Sequence, residues 1–171
     1  MRVWRITREA FQALDGDGAR QWGGRWNSVG VPVVYSSASL ALAALEVLTH
    51  ADIRDVPDDL VAMSIDVPDE GGVSSIGVDE LPAGWNRIAD GAVCVTRGDA
   101  WVAEGGTLAL RVPSVVVPEE WNVLINPAHV RASGVRVVSS RRFQFDPRVM
   151  GTVAASAARS VPRAGPRRST H

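Results

Sequence analysis

Residues 3–6 mix apolar and basic side chains and predict a short strand. Residues 8–14 predict a short helix, which Asp15-Gly16-Asp17-Gly18 breaks. Residues 31–35 are β-branched and bounded by Gly30 and Pro32, so a strand is expected from Val33. The strongest helical pattern spans residues 39–50. Leu40, Ala43, Ala44, Val47 and Leu48 supply its apolar face, and either Ser37 or Ser39 can cap it. Strands are expected over 60–67, 92–96, 108–112, 114–117, 135–139 and 143–146. A second short helix is expected over 99–105, ended by Gly105-Gly106. Residues 69–77 read as loop, 81–85 as a turn, and 122–125 as the lead into a turn at 126–129. The expected class is therefore α+β, strand-rich with few helices. No alternating strand–helix order supports a doubly wound sheet.

A chain of 171 residues suffices for one domain with a real core. Residues 1–150 carry the apolar pattern. Residues 151–171 hold Ala, Ser, Pro and four arginines (Arg159, Arg163, Arg167, Arg168) with no acidic residue. That segment is expected to be a basic tail, with a helical turn or two over 152–158 and disorder beyond Ser160. The net charge of −1 gives no field suited to nucleic acid, so no direct nucleic-acid binding is expected. The single cysteine, Cys94, sits in an apolar run and reads as a buried structural thiol in a reducing compartment. Residues 1–5 show no secretory apolar region. No apolar run reaches the roughly 18–20 residues that span a bilayer. A cytoplasmic protein with no membrane contact is expected.

The chemistry concentrates in a few places. Gly23-Gly24-Arg25-Trp26-Asn27 is a glycine-rich turn that delivers a guanidinium and an aromatic face. Arg5 lies on the first strand, where it is either a solvated edge residue or a clamp for a diphosphate. Tyr35 closes a strand beside the hydroxyls of Ser36 and Ser37, just ahead of a helix N-terminus suited to a polar or anionic ligand. Glu46 stands within an apolar helical run, so its carboxylate is either paired with an arginine or functional. His50 follows it by one helical turn, but no third ligand of suitable spacing completes a metal site. Ser114 follows Val112-Pro113, a position usual for a turn residue. No P-loop, Rossmann fingerprint or nucleophile elbow is present.

Taken in order, these pieces resemble the RES-domain family of toxins. The resemblance rests on Trp4-Arg5-Ile6, on Gly23-Gly24-Arg25-Trp26-Asn27 with Gly30, Pro32 and Tyr35, and on Ala44-Leu45-Glu46-Val47. It continues through Val112-Pro113-Ser114, Asn122, Leu124, Asn126-Pro127, His129 and Phe145-Asp146-Pro147-Arg148, so that it covers residues 3–149. It implies an ADP-ribosyltransferase-like domain that takes NAD as its substrate and needs no cofactor. It implies degradation of NAD with water or inorganic phosphate as acceptor. Protein ADP-ribosylation, or a module that binds NAD or a partner without turnover, are the alternatives. By motif, Arg5, Glu46 and Ser114 match the family's arginine, glutamate and serine and are the expected catalytic residues. Arg5, Arg25, Trp26, Tyr35, Ser36 and Asn126 are the expected NAD-binding residues. A helix-turn-helix antitoxin that blocks the pocket is the implied partner.

Overall fold

The structure is a computed structural model, and it describes residues 1–50, 56–87 and 91–150. The tail expected over 151–171, with its helical turn at 152–158 and its disorder beyond Ser160, lies outside the described residues.

Seven strands form one sheet: β1 (Arg2–Arg8), β2 (Val34–Ser37), β3 (Leu60–Asp66), β4 (Val73–Ser75), β5 (Ala109–Pro113), β6 (Trp121–Ile125) and β7 (Arg136–Arg142). Among the described residues three α-helices accompany them, α1 (Asp17–Trp22), α2 (Leu40–His50) and α3 (Ala92–Glu104), and residues 147–150 are helical as well. The spatial order is β4-β5-β6-β2-β1-β3-β7. Only β4 and β5 run parallel.

The sheet has a seam. β1 pairs with β3 along its whole length, from Arg2 opposite Asp66 to Arg8 opposite Leu60. It meets β2 at a single register pair, Trp4 opposite Ser37. On the other side of that seam, β2, β6 and β5 pair continuously. The seam divides the sheet into β4-β5-β6-β2 and β1-β3-β7. Side chains from both parts build one core: Val3, Val61, Met63 and Ile65 from one, Val34, Ala109, Val123 and Ile125 from the other. A second core lies on the opposite face of β5 and β6. There Leu110, Val112 and Leu124 meet Trp26, Val33, Trp85, Cys94 and Trp101. Each fully buried Leu, Ile or Met in these cores contributes about 2 kcal/mol by leaving water.

The fold is the α+β, strand-rich class expected, with local differences of clear cause. Residues 92–104 form one helix rather than a strand and a short helix. Cys94, Gly98 and Trp101 are its buried positions, spaced as a helix spaces one face. The β-branched Val93, Val95 and Thr96 favour a strand locally, and packing on the core overrides them. Gly105 ends this helix in the left-handed region, as its position predicts. The segment at 114–117 is a turn, not a strand, because the Ser114 hydroxyl captures the backbone N–H groups of Val116 and Val117. Residues 143–146 are not a strand either. Phe143 makes one backbone bond to Leu60, then packs edge-to-face on Phe145 with ring centres 5.0 Å apart. The first turn of helix after β1 covers only Glu9–Phe11, and the Asp-Gly pairs meant to break it instead open α1. β4 arises within the stretch read as loop, by pairing with β5.

Gly98 lets α3 approach the loop that carries the arginine–tryptophan motif. A Cβ at this position would stand 1.8 Å from the carbonyl oxygen of Trp26. Gly98→Ala is expected to lower the unfolding free energy by about 2–3 kcal/mol, as overpacking against rigid backbone does. Urea denaturation measures it, and an unchanged midpoint would mean that the loop yields freely.

Candidate active site

Glu46 owes its place to the register of α2. The helix is capped by Ser39, whose Oγ accepts the N–H of Leu42 at 3.1 Å. The alternative cap, Ser37, turns elsewhere. Leu42 is almost fully buried, and Glu46 stands one turn further along the same face. A carboxylate so placed leaves water partly and needs donors. Two reach it. The Ser114 hydroxyl donates to Oε1 at 2.8 Å, and the Asn122 side-chain amide donates to the same oxygen at 2.5 Å. No arginine among the described residues pairs with Glu46.

Ser114 is fully buried, and its hydrogen bonds fix its role. Its Oγ accepts the N–H groups of Val116 at 3.0 Å and Val117 at 3.1 Å. Its own N–H goes to Glu120 O, which closes the turn. With its lone pairs occupied, the single hydroxyl proton points to Glu46. The usual turn role and the functional role thus coincide in one side chain.

Asn122 was not among the residues expected to act. It lies on β6, opposite Val112 on one side and Ser37 on the other. Ser37 Oγ donates to its Oδ1 at 2.7 Å. The detectable signal was polarity: an amide between Trp121 and Val123, where the strand pattern otherwise turns apolar.

The glycine-rich loop is built differently from the expectation. Asn27, only 1% exposed, is its hub. Its amide nitrogen donates to the carbonyls of Ala19, Ser28 and Val31, and its Oδ1 accepts the Tyr35 hydroxyl at 2.7 Å. Tyr35 in turn accepts the N–H of Trp26 at 3.0 Å. Gly24 is required beneath it, since a Cβ there would stand 2.5 Å from the Tyr35 oxygen. Asp99 on α3 fastens the far end by accepting from both the backbone and hydroxyl of Ser28.

Several side chains expected to line the NAD pocket are therefore committed to the scaffold. Trp26 is 3% exposed and sits in the core with Leu110 and Trp101, so its indole presents no open stacking face. Ser36 donates to Val123 O at 2.6 Å inside the sheet. Asn126, 1% exposed, spends its amide on Val102 O and its oxygen on Ala128 N–H. Tyr35 has its hydroxyl satisfied on both sides. Sequence alone marks such residues as polar and motif-borne, but it cannot tell a polar group aimed at a ligand from one buried to hold a loop.

The two arginines remain partly available. Arg25 Nη1 donates to the carbonyls of Trp85 at 3.0 Å and Arg87 at 3.3 Å, and its guanidinium also lies against the Cys94 thiol. Arg5 shares a face of β1 with Val3 and Thr7 and reaches the carbonyls of Phe11 and Ala13 only at 3.4 and 3.5 Å. Burial lowers its pKa and Asp15 partly offsets this, so a desolvated cation stands there. Trp4 pairs with Ser37 at the seam, so Arg5, the next residue, points to the face of the sheet opposite Ser37 and Asn122. The structure thus brings Glu46, Ser114, Asn122 and Ser37 into one bonded chain. Neither arginine is bonded to Glu46.

Cys94 is fully buried, and desolvation pushes its thiol up despite the nearby Arg25, as befits a structural residue. Among the described residues, no helix is long and apolar enough to cross a membrane.

The fold and the hydrogen-bonded group around Glu46 can now be set beside known proteins. The chain belongs to the RES domain family, whose profile matches residues 2–146. It is 42% identical over 155 residues to a protein of Sphingobium sp. (strain YBL2) called Prs ADP-ribosylating toxin, covering 86% of this chain and 95% of that one. It is 37% identical over 129 residues to a protein of Photorhabdus laumondii called Toxin Res, covering 74% and 82% respectively. In fold it is similar to a chain in the crystal structure of the M. tuberculosis MbcT–MbcA toxin–antitoxin complex, with a TM-score of 0.71 at 21% identity over 90% of this chain and 88% of that one.

Tyr35 is the only tyrosine in the sequence, so its titration can be followed alone. Burial raises its pKa above the ordinary phenol value of about 10. The folded state therefore holds this proton more tightly than the unfolded chain. The associated stability is complete below that pH and is lost as pH rises beyond it. Tyrosinate absorbance should be missing from the folded protein at about pH 10 and present in urea at the same pH. Tyr35→Phe takes the hydroxyl from Asn27 Oδ1 and from the Trp26 N–H and is expected to cost about 1–3 kcal/mol, read from urea denaturation.

Proposed function

We propose that this chain is the toxin of a toxin–antitoxin pair and that it consumes NAD by cleaving the nicotinamide–ribose bond, with water or inorganic phosphate as acceptor. The observation that carries the reading is Glu46: a half-buried carboxylate held by two neutral donors, its second oxygen meeting none among the described residues. An ion-paired carboxylate would have its field cancelled. Among the described residues no cation pairs with this one, which suits it to a cation that appears elsewhere.

The reaction supplies such a cation. As the C1′–N bond breaks, its electron pair returns to the pyridine nitrogen and neutralises it, and positive charge develops on the ribose ring. A fixed carboxylate stabilises that charge in a site of reduced dielectric. The acceptor oxygen then bonds to C1′ and its proton passes to solvent. Nicotinamide leaves neutral, so no second acid is needed. Arg5 and Arg25 supply guanidinium donors for the pyrophosphate. A helix-turn-helix antitoxin covering this pocket would be the matching restraint, in keeping with the toxin–antitoxin complex named for the structural neighbour.

One specific observation favours a second reading, in which the acceptor is a protein side chain. The Sphingobium relative carries ADP-ribosylating in its name. The donor half of the chemistry is the same. Incubation with labelled NAD separates the cases. Free ADP-ribose identifies water, ADP-ribose-1″-phosphate formed only with phosphate identifies phosphorolysis, and labelled protein identifies transfer. No nicotinamide release from the wild-type chain would leave only a binding module.

Glu46→Gln preserves volume and removes charge. Turnover is expected to fall by about 10²-fold or more with the fold retained, as for other electrostatic stabilisers. Near-wild-type release of nicotinamide by the folded variant would remove Glu46 from the chemistry. Arg5→Lys and Arg25→Lys lose the planar fork. Each is expected to weaken NAD binding by roughly tenfold, about 1.4 kcal/mol, measured by calorimetry. Unchanged affinity in both would assign the arginines to structure.

A further inference from the structure

We propose that Asn122 is a positioning residue for Glu46, backed by Ser37, and that the pair reserves one carboxylate oxygen for the protein and the other for substrate. The inference rests on the reading of Glu46 given above and adds to it a residue and a direction.

Oε1 of Glu46 receives both protein donors, Ser114 Oγ and Asn122 Nδ2. Oε2 receives none from the described residues. Two donors fill the lone pairs of one oxygen. A ribose hydroxyl that donates to Glu46 must therefore go to Oε2. The plane of the carboxylate is set by donors arriving from two separate places, the turn after β5 and the end of the β6–β2 pairing.

The orientation of the Asn122 amide is dictated by its surroundings. Ser37 Oγ stands 2.7 Å from Oδ1. If the amide were reversed, its oxygen would face Oε1 at 2.5 Å, and two acceptors would repel. The hydroxyl of Ser37 thus holds the amide so that its N–H faces the carboxylate. Ser37 is 4% exposed and lies at the seam, opposite Asn122 on β6 and Trp4 on β1. The direction of the catalytic carboxylate is tied in this way to the join between the two parts of the sheet, beside the residue that precedes Arg5.

The test uses the full-length chain and measures nicotinamide release over a range of NAD concentrations. Asn122→Ala is expected to lower kcat by roughly 10- to 100-fold, the size of a hydrogen bond to a charged group, with KM for NAD within about twofold. Asn122→Asp keeps the shape and sets a second carboxylate against Glu46, so its loss should be larger. Ser37→Ala should lower kcat less than Asn122→Ala. In a Glu46→Gln background, Asn122→Ala should lower kcat no further, because a residue that acts through Glu46 has nothing left to position. A residue with a merely structural part would multiply its loss onto that of Glu46→Gln, and this result overturns the proposal. So does an unchanged kcat in Asn122→Ala, or a loss confined to KM. If Asn122→Ala does not fold, Asn122→Asp in both backgrounds decides by the same comparison. Failure of the wild-type chain to release nicotinamide overturns the reading of Glu46 and this inference together. Release by the wild type with no effect at Asn122 overturns this inference alone.

Discussion

A carboxylate drawn partly out of water must be met by hydrogen-bond donors, and among the described residues the donors that meet Glu46 are neutral. Much of the fold can be understood as supplying them. Ser114 donates because the turn after β5 uses up its lone pairs. Asn122 donates because Ser37 fixes its amide. An arginine in either position would satisfy the carboxylate more strongly but would cancel its field. Neutral donors offset the desolvation without opposing the field of the carboxylate.

The second constraint is the loop of residues 23–27. Its shape depends on Asn27, which makes three hydrogen bonds to carbonyls and accepts one from Tyr35. Two glycines make the arrangement sterically possible, Gly24 under the Tyr35 hydroxyl and Gly98 under the Trp26 carbonyl. The product of this construction is the placement of Arg25 against the carbonyls of Trp85 and Arg87. Residues of a motif thus divide by burial: those at the core side hold the loop, and the half-exposed arginine is what the loop presents.

The strand-rich α+β class was legible in the sequence, as were β1, α2 and β3, because their patterns and their packing agree. Glu46 and Ser114, both marked by motif order, are joined by a hydrogen bond. What was not legible required tertiary information. Residues 92–96 carry strand-forming side chains, yet their burial on α3 follows a helical period that shows only once Trp101 and Gly98 are packed. Ser114 looked like the start of a strand because its capture of two backbone N–H groups is invisible in composition. Trp26, Ser36 and Asn126 looked like ligand contacts because a polar or aromatic residue in a motif has the same letter whether it faces a substrate or a neighbouring strand.

The seam explains why the site lies where it does. Continuous antiparallel pairing would bury every backbone group between strands and leave no opening. Here β1 and β2 touch at Trp4 and Ser37 and then part. Ser37, at the contact, passes its hydrogen bond to Asn122 and through it to Glu46. Arg5 is the residue that follows Trp4 on the other side. A ligand bound across this join would touch both parts of the sheet at once. Any shift of β1 against β2 would then disturb the Ser37–Asn122–Glu46 chain, which is only as rigid as the core that holds the two parts closed, where Val3, Met63 and Ile65 pack with Val34, Val123 and Ile125.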